Sequence, residues 1–250
     1  MAFDAVFFAL AIPAVLFAGV SKGGFGSGAS FAATPVMALI LEPGVALGLM
    51  LPLLMLMDFG ALRPYWGGWH WPSARAMILG AVPGVLLGIA LWAVAPPDAF
   101  RLLIGVIAIA FVVFQIGQRT GAIRPPAREF GPRAGIFAGA VSGFTSFVSH
   151  AGGPAAAVYL LSRRLSKTEY QATTVLVFWV INLFKFGPYA ALGIFTADTL
   201  LAGLILAPVA VAGVFLGVWM HNAISERFFF GLTYVFLTGA GAKLIWDALT

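Results

Sequence analysis

The sequence predicts an all-α integral membrane protein with about ten hydrophobic helical segments, arranged as two inverted repeats of five segments each. Three observations lead to this prediction. The 250 residues are 61% hydrophobic and only 9% charged, with a mean hydropathy of +1.00, far above a soluble domain. The apolar runs are as long as helices and are interrupted by Gly and Pro, which favours helices over an outer-membrane barrel. A polar, small-residue motif also occurs once in each half of the chain.

Reading the hydrophobic runs between polar breaks gives the ten predicted segments. They lie at residues 3–21, 29–41, 44–62, 74–94, 99–117, 133–149, 153–162, 169–190, 198–220 and 228–248. The runs 29–41 and 153–162 are shorter than the ~20 residues that cross the hydrocarbon core, so we interpret them as half-helices. A basic linker at 119–132 then separates a first transmembrane repeat at 1–118 from a second at 133–250.

The duplicated motif marks a broken helical hairpin in each half. GGFGSGASFAATP at 23–35 returns as SGFTSFVSHAGGP at 142–154, with a spacing of 119 residues. At a spacing of 124, Asp58 overlays Asn182, and Pro64-Tyr65 overlays Pro188-Tyr189. Interrupted segments at corresponding places in two halves are the best sequence indication of a transporter's binding site, because unwound backbone at membrane depth lines a cavity.

The distribution of positive charge predicts the orientation in the membrane. Four arginines in or next to the linker predict that it is cytoplasmic: Arg119, Arg124, Arg128 and Arg133. Counting segments outward puts most other cations on the same side, namely Arg63, Arg75, Arg163, Arg164, Lys167 and Arg227. The opposite side keeps Arg101 and Lys243. Five segments per half is an odd number, so the second half is inverted, and we expect both termini outside a multi-pass protein of the cell (inner) membrane.

Two lysines and one aspartate remain inside the predicted membrane region. Lys22 lies at the first hairpin, Lys185 within the eighth segment, and Asp58 in the third. A cation at membrane depth needs a partner, and an internal ion pair with Asp58 is one reading. Because one aspartate does not neutralise two lysines, the surplus positive charge would suit an anionic substrate near the N-termini of the half-helices.

Hydroxyl groups and glycine amides of the hairpins complete the predicted site. The predicted substrate-binding residues are Lys22, Gly24, Ser27, Gly28, Ser30, Ser146, Ser149, His150, Gly152, Asn182 and Lys185. Asn182 stands one turn before Lys185 on the same helical face. Helix packing or capping is the alternative for each serine, an interhelical hydrogen bond for Asn182, and a neutral ring bonded to backbone for His150. Asp58 and His150 are the candidates for proton coupling.

The sequence lacks the residue patterns that metal-binding and nucleotide-binding proteins need. Cysteine is absent and the three histidines are dispersed, so we expect no metal site. GGFGSG at 23–28 has no preceding strand and no following Lys-Ser/Thr pair, which argues against a nucleotide loop. We therefore expect no enzyme activity, no cofactor and no nucleic-acid partner. The expected partners are a small anion and the lipid bilayer, with homo-oligomerisation left open.

The chain resembles the sulfite exporter TauE/SafE family over almost its whole length. The likeness rests on the paired Gly-rich breaks ending in Pro35 and Pro154, on the basic middle linker, and on INLFKFGPYAALG at 181–193. The hairpins are less glycine-rich than is usual in that family. The resemblance implies secondary export of a small anion, with sulfite or an organosulfonate such as sulfoacetate as leading substrates. A carboxylate or other small-metabolite carrier, and a non-transporting membrane scaffold or assembly subunit, are the alternatives.

Overall fold

The computed structural model describes residues 3–25, 29–123, 128–220 and 226–250, and these residues form helices and connections with no strand. The α-helices are α1 (Ala5–Val20), α2 (Ala33–Met37), α3 (Pro43–Leu62), α4 (Trp71–Val94), α5 (Pro97–Arg119), α6 (Pro132–Ser149), α7 (Gly153–Ser162), α8 (Lys167–Ala191), α9 (Ala197–Met220) and α10 (Glu226–Leu249). The all-α prediction is confirmed for the described residues.

Seven helical stretches in the described part of the chain are long and apolar enough to cross a membrane. They are Ala5–Gly24, Pro43–Tyr65, Trp71–Val94, Pro97–Arg119, Lys167–Ala191, Ala197–Met220 and Phe229–Leu249. The chain is therefore a multi-spanning membrane protein, while the count of ten membrane segments stays a prediction. Helix starts follow local chemistry: the Asp4 carboxylate accepts from the Phe7 N–H at 2.8 Å, and Ser166 and Glu169 form a capping box at α8.

Two apolar cores are built from helices on both sides of the linker. The first combines α1, α2 and α3 with Ala202, Leu206 and Ala210 of α9. The second combines α6, α7 and α8 with Ala74 and Met77 of α4. Thus α9 completes the core of the first three helices, and α4 completes the core of α6 to α8.

Glycine allows the closest crossing, between α4 and α6. A Cβ atom at Gly84 would lie 2.0 Å from the carbonyl oxygen of Ala140, and one at Gly139 would lie 2.1 Å from that of Met77. The corresponding crossing of α1 and α9 is also lined by glycine, since a Cβ at Gly217 would lie 2.4 Å from the Val20 oxygen. Small residues at such crossings let helix backbones touch, which is how helices pack within a membrane.

The two hairpins differ in their local backbone. After α1 the chain widens into a π-helical turn at Ser21–Phe25, and a 3₁₀ turn at Ser30–Ala32 leads into α2. The predicted half-helix 29–41 is shorter than expected, because the N–H groups of Leu39 and Ile40 bond three residues back and the helix ends before Pro43 starts α3. The second half-helix has the predicted bounds, Gly153–Ser162.

Candidate functional site

The buried polar side chains of the hairpins and of α3 and α8 meet in one cluster. Lys22 comes from the π-helical turn after α1, a local widening that is frequent at functional sites. Asp58 comes from the last turns of α3, and Asn182 and Lys185 come from the middle of α8. Ser146 belongs to the last turn of α6, and His150 follows that helix directly. These six side chains are at most 8% exposed, so the cluster is enclosed by the bundle.

Lys22, Asp58 and Asn182 form the first part of the cluster. The Lys22 ammonium donates to Asp58 Oδ1 in a buried ion pair and to the Leu54 carbonyl oxygen at 3.3 Å. Asn182 Nδ2 donates to Asp58 Oδ2 at 2.6 Å. Both carboxylate oxygens therefore accept from N–H donors, as an ionised carboxylate does. The internal ion pair that the sequence left open is present.

Lys185 forms the second part of the cluster. Its Nζ donates to the Ser146 carbonyl oxygen at 3.0 Å and to Ser146 Oγ at 2.9 Å, and it lies 2.8 Å from His150 Nδ1. Three acceptors match the three donors of an ammonium group. None of these partners is a carboxylate, so the positive charge of Lys185 is solvated by neutral groups.

His150 is held in a conformation that few side chains adopt. Its φ of 58° is left-handed, and its N–H closes α6 by donating to the Ser146 carbonyl oxygen at 2.9 Å. His150 Nε2 lies 3.2 Å from the Leu47 carbonyl oxygen. Because that oxygen can only accept, Nε2 carries a proton, and in a neutral ring Nδ1 is then the acceptor that faces Lys185. Non-glycine residues with this strained backbone are concentrated at functional sites.

A small cavity of about 20 Å³ adjoins the cluster. It is lined by Lys22, Ser30, Leu54, Ser146, His150, Gly153, Phe178 and Asn182. This volume holds about one water molecule, so an anion with several heavy atoms does not fit in this conformation. Lys185 is fully buried behind Ser146 and His150 and does not line the cavity. The structure is therefore a closed state around the cluster.

The remaining predicted residues have different surroundings. Gly24 packs against α9, where a Cβ would lie 2.1 Å from the Gly217 carbonyl oxygen. Ser149 Oγ donates to the Thr145 carbonyl oxygen within α6, and the Gly152 carbonyl oxygen accepts from Ser142. These contacts have the packing and capping character that was the alternative for the hairpin residues. Ser27 and Gly28 lie outside the described residues.

Three contacts at the cluster involve residues that the sequence analysis did not single out: Leu47, Leu54 and Tyr189. The carbonyl oxygens of Leu47 and Leu54 accept from His150 and Lys22. A bond from His150 to backbone was the alternative stated for that residue, but no sequence pattern indicates which carbonyl groups take part. Tyr189 donates from its hydroxyl to the Phe147 carbonyl oxygen at 2.6 Å, and its ring lies 5.9 Å from Lys185 Nζ. The repeat match of Tyr189 with Tyr65 was the available signal for this residue.

Two larger cavities lie at the end of the bundle where α3 begins. Their volumes are about 400 and 630 Å³, and both are lined by Glu42, Val45 and Thr196. Gly44 lines the first of them and Leu54 lines the small cavity, ten residues or about 15 Å apart along α3. An apolar cluster that includes Leu47, Leu51, Phe147, Tyr189 and Ile194 lies along this stretch. This cluster separates the large cavities from the charged site.

A multi-spanning helical bundle that encloses charged side chains next to a cavity has the features of a membrane transporter. The model of the family "Sulfite exporter TauE/SafE" matches residues 11–244, so the chain belongs to this family. The resemblance stated from the sequence is confirmed, and the family implies a membrane exporter of sulfite or a related anion. Comparison with curated proteins gave no match, and comparison with solved structures gave none.

Proposed function

We propose that the protein is a secondary transporter that exports sulfite or an organosulfonate, such as sulfoacetate, by alternating access around the cluster of Lys22, Asp58, Asn182 and Lys185. The observation that carries this proposal is the surplus of buried positive charge. Asp58 neutralises Lys22, whereas Lys185 contacts no carboxylate in the part of the chain that the structure describes. A buried cation without a counter-charge is costly in a membrane, and an anionic substrate would supply the missing charge.

The cavity-lining groups suit an oxyanion. His150 and Ser146 lie between Lys185 and the small cavity and transmit its charge through hydrogen bonds. Lys22 lines the cavity directly, and Gly153 at the start of the ten-residue helix α7 lines it as well. Ammonium, hydroxyl and helix N-terminal groups are the donors that stabilise anions in proteins.

Contacts between the two halves support an alternating movement. Lys22 pairs within the first half, with Asp58, and Lys185 pairs within the second half, with Ser146 and His150. The contacts from Asn182 to Asp58 and from His150 to the Leu47 carbonyl oxygen cross between the halves. The halves could therefore rock by exchanging these cross-contacts while each lysine keeps its own partners.

A further argument concerns the inverted repeat. Asp58 and Asn182 are equivalent in the repeat of 124 residues, and their side chains are hydrogen-bonded to each other. Equivalent residues that touch lie close to the axis that relates the halves, since a two-fold axis brings a residue against its own counterpart. Helices α4 and α9 are the fourth segments of their halves, and each completes the apolar core of the other half. This arrangement has the same two-fold symmetry. These contacts favour a binding site between two related halves.

We also propose a cytoplasmic linker and outside termini. In that orientation, Arg101 and Lys243 lie at the outside, and each is paired with a nearby acid, Asp98 and Asp247 respectively. The excess of positive charge then belongs to the cytoplasmic side, as the positive-inside rule requires. Transport coupled to protons through Asp58 or His150 is part of the proposal, and flux that is indifferent to an imposed pH gradient would contradict it.

The proposed substrate can be tested with ligand-induced stabilisation. The melting temperature of the detergent-purified protein would be measured with sulfite, sulfate, sulfoacetate, taurine, acetate and 2-oxoglutarate at constant pH and ionic strength. A ligand that binds the folded state raises the apparent stability, by about 2.7 kcal/mol at a concentration 100 times its Kd. We expect a rise with sulfite or sulfonates in the wild type and its loss in Lys185→Met. Lys243→Met, at an exposed surface pair, is the matched control and should respond like the wild type.

A carboxylate carrier is the second candidate, because Asp58 shows that a carboxylate fits between Lys22 and Asn182. Stabilisation by 2-oxoglutarate, with competition against sulfite in liposome flux, would favour this candidate. No stabilisation by any anion, together with no flux in liposomes, would instead favour the membrane scaffold.

A further inference from the structure

The charges of the cluster can be counted from its hydrogen bonds. With Lys22 and Lys185 as ammonium groups, Asp58 as a carboxylate and His150 as a neutral ring, each of these hydrogen bonds has one donor and one acceptor. Among the described residues, these are the buried Lys, Arg, Asp, Glu and His side chains of the bundle. Two positive charges and one negative charge leave a net charge of +1 in the closed site.

From this count we infer that the site binds one net negative charge at a time and therefore prefers monovalent oxyanions, and that Asp58 sets this valence. The inference rests on the proposed function, because it assumes that the cluster is the anion site. A monovalent anion neutralises the cluster. A divalent anion leaves a net charge of −1, and its second charge is repelled by Asp58, which lies directly behind the cavity-lining Lys22.

The size of the preference follows from the enclosure of the site. Asp58 is 2% exposed, and Lys22, which it contacts, lines the cavity. At separations of a few ångströms inside a protein, one unit charge changes the affinity of a charged ligand by more than about tenfold. Sulfite is then bound as bisulfite, and an organosulfonate with a second acidic group is bound with that group protonated.

Asn182 gives the test a symmetrical design. Its side chain has the shape of aspartate and contacts Asp58. Asp58→Asn raises the net charge of the cluster to +2, Asn182→Asp lowers it to 0, and the double exchange Asp58→Asn/Asn182→Asp returns it to +1. The two single variants change the net charge and the double exchange restores it, and all three leave the side-chain volumes almost unchanged. Asp98→Asn, in an exposed pair with Arg101, is the control.

The probes would be sulfoacetate and its carboxamide, which share a shape but carry two charges and one charge respectively at neutral pH. Their affinities for the purified protein would be measured by calorimetry at constant ionic strength. We expect the wild type to bind the carboxamide at least about tenfold more tightly. Asp58→Asn should shift this ratio toward sulfoacetate by about tenfold or more, and Asn182→Asp should shift it the other way. The double exchange and Asp98→Asn should keep the wild-type ratio.

The outcomes separate this inference from the function on which it rests. If wild-type protein binds sulfite and Lys185→Met does not, but the affinity ratio is the same in Asp58→Asn and Asn182→Asp as in the wild type, the valence inference is wrong and the proposed function stands. If only one single variant folds, the direction of its ratio still decides. If the wild type binds no anion, both proposals are wrong.

Discussion

The close crossing of α4 and α6 makes Gly84 a sensitive position. Gly84→Ala would place a Cβ 2.0 Å from the Ala140 oxygen and 2.9 Å from the Phe144 nitrogen. Contacts below 3.0 Å are not tolerated, and both neighbours are backbone atoms that cannot rotate away. The two helices must therefore separate by about 1 Å, which is the difference between 2.0 and 3.0 Å.

Overpacking of this kind costs about 1–3 kcal/mol. For a chain of this size, a loss of about 2 kcal/mol lowers Tm by about 4–8 °C. The candidate site would move as well, because Ser146 belongs to α6 and His150 follows that helix directly. A shift of about 1 Å would lengthen the 2.8 Å bond from Lys185 to His150 beyond hydrogen-bonding distance. The loss of one charge-assisted bond should lower anion affinity about tenfold or more.

The assay combines thermal melting and sulfite binding for the same detergent preparation. Gly239→Ala in α10 is the matched control, since nothing lies within 4 Å of its Cβ position. Helix propensity alone should make that variant equal to the wild type or more stable by about 0.5–1 kcal/mol. If Gly84→Ala melts with the wild type and binds sulfite equally well, the reasoning from the close crossing is refuted.

Three further predictions concern single contacts. Tyr189→Phe leaves the buried Phe147 carbonyl oxygen without its donor, so we expect a loss of about 1–3 kcal/mol in unfolding free energy, and an unchanged melting curve would contradict the contact. His150→Gly should be more stable than His150→Ala by about 1 kcal/mol, because glycine adopts a φ of 58° without strain; equal stability of the pair would argue against the left-handed backbone. The chain has no cysteine, so in intact cells an impermeant thiol reagent should label Asp98→Cys and spare Gly121→Cys; the reverse pattern would invert the proposed topology.

The fold and several residues of the candidate site could be predicted from the sequence, whereas most contacts between those residues could not. Composition and the duplicated hairpins predicted the helical membrane fold, and hydrophobic spacing predicted the bounds of α7. The rule that buried charges are paired indicated the contact between Lys22 and Asp58. These features follow from local pattern and from the cost of charge in lipid, which a sequence displays directly.

Other features depend on tertiary contacts that the sequence does not display. Asn182 and Lys185 share a helical face, yet one bonds to Asp58 and the other to Ser146 and His150. The left-handed backbone of His150 replaces the glycine expected at such a helix end, and no spacing rule indicates that exchange. The first half-helix was predicted too long because hydropathy continues through residues 38–41, where the hydrogen-bond pattern changes.

Each apolar core needs one helix from the other half of the chain, α9 for the first core and α4 for the second. This arrangement predicts what would happen if the chain were cut at the linker. Without the helices that follow the linker, α1 and α4 would expose the glycine faces that α9 and α6 cover. Asp58 would keep Lys22 but lose Asn182. The contacts that hold the halves together are thus made by the helices and not by the peptide bond between them. Two fragments produced separately in one cell should therefore find each other and assemble, whereas either fragment alone should be degraded.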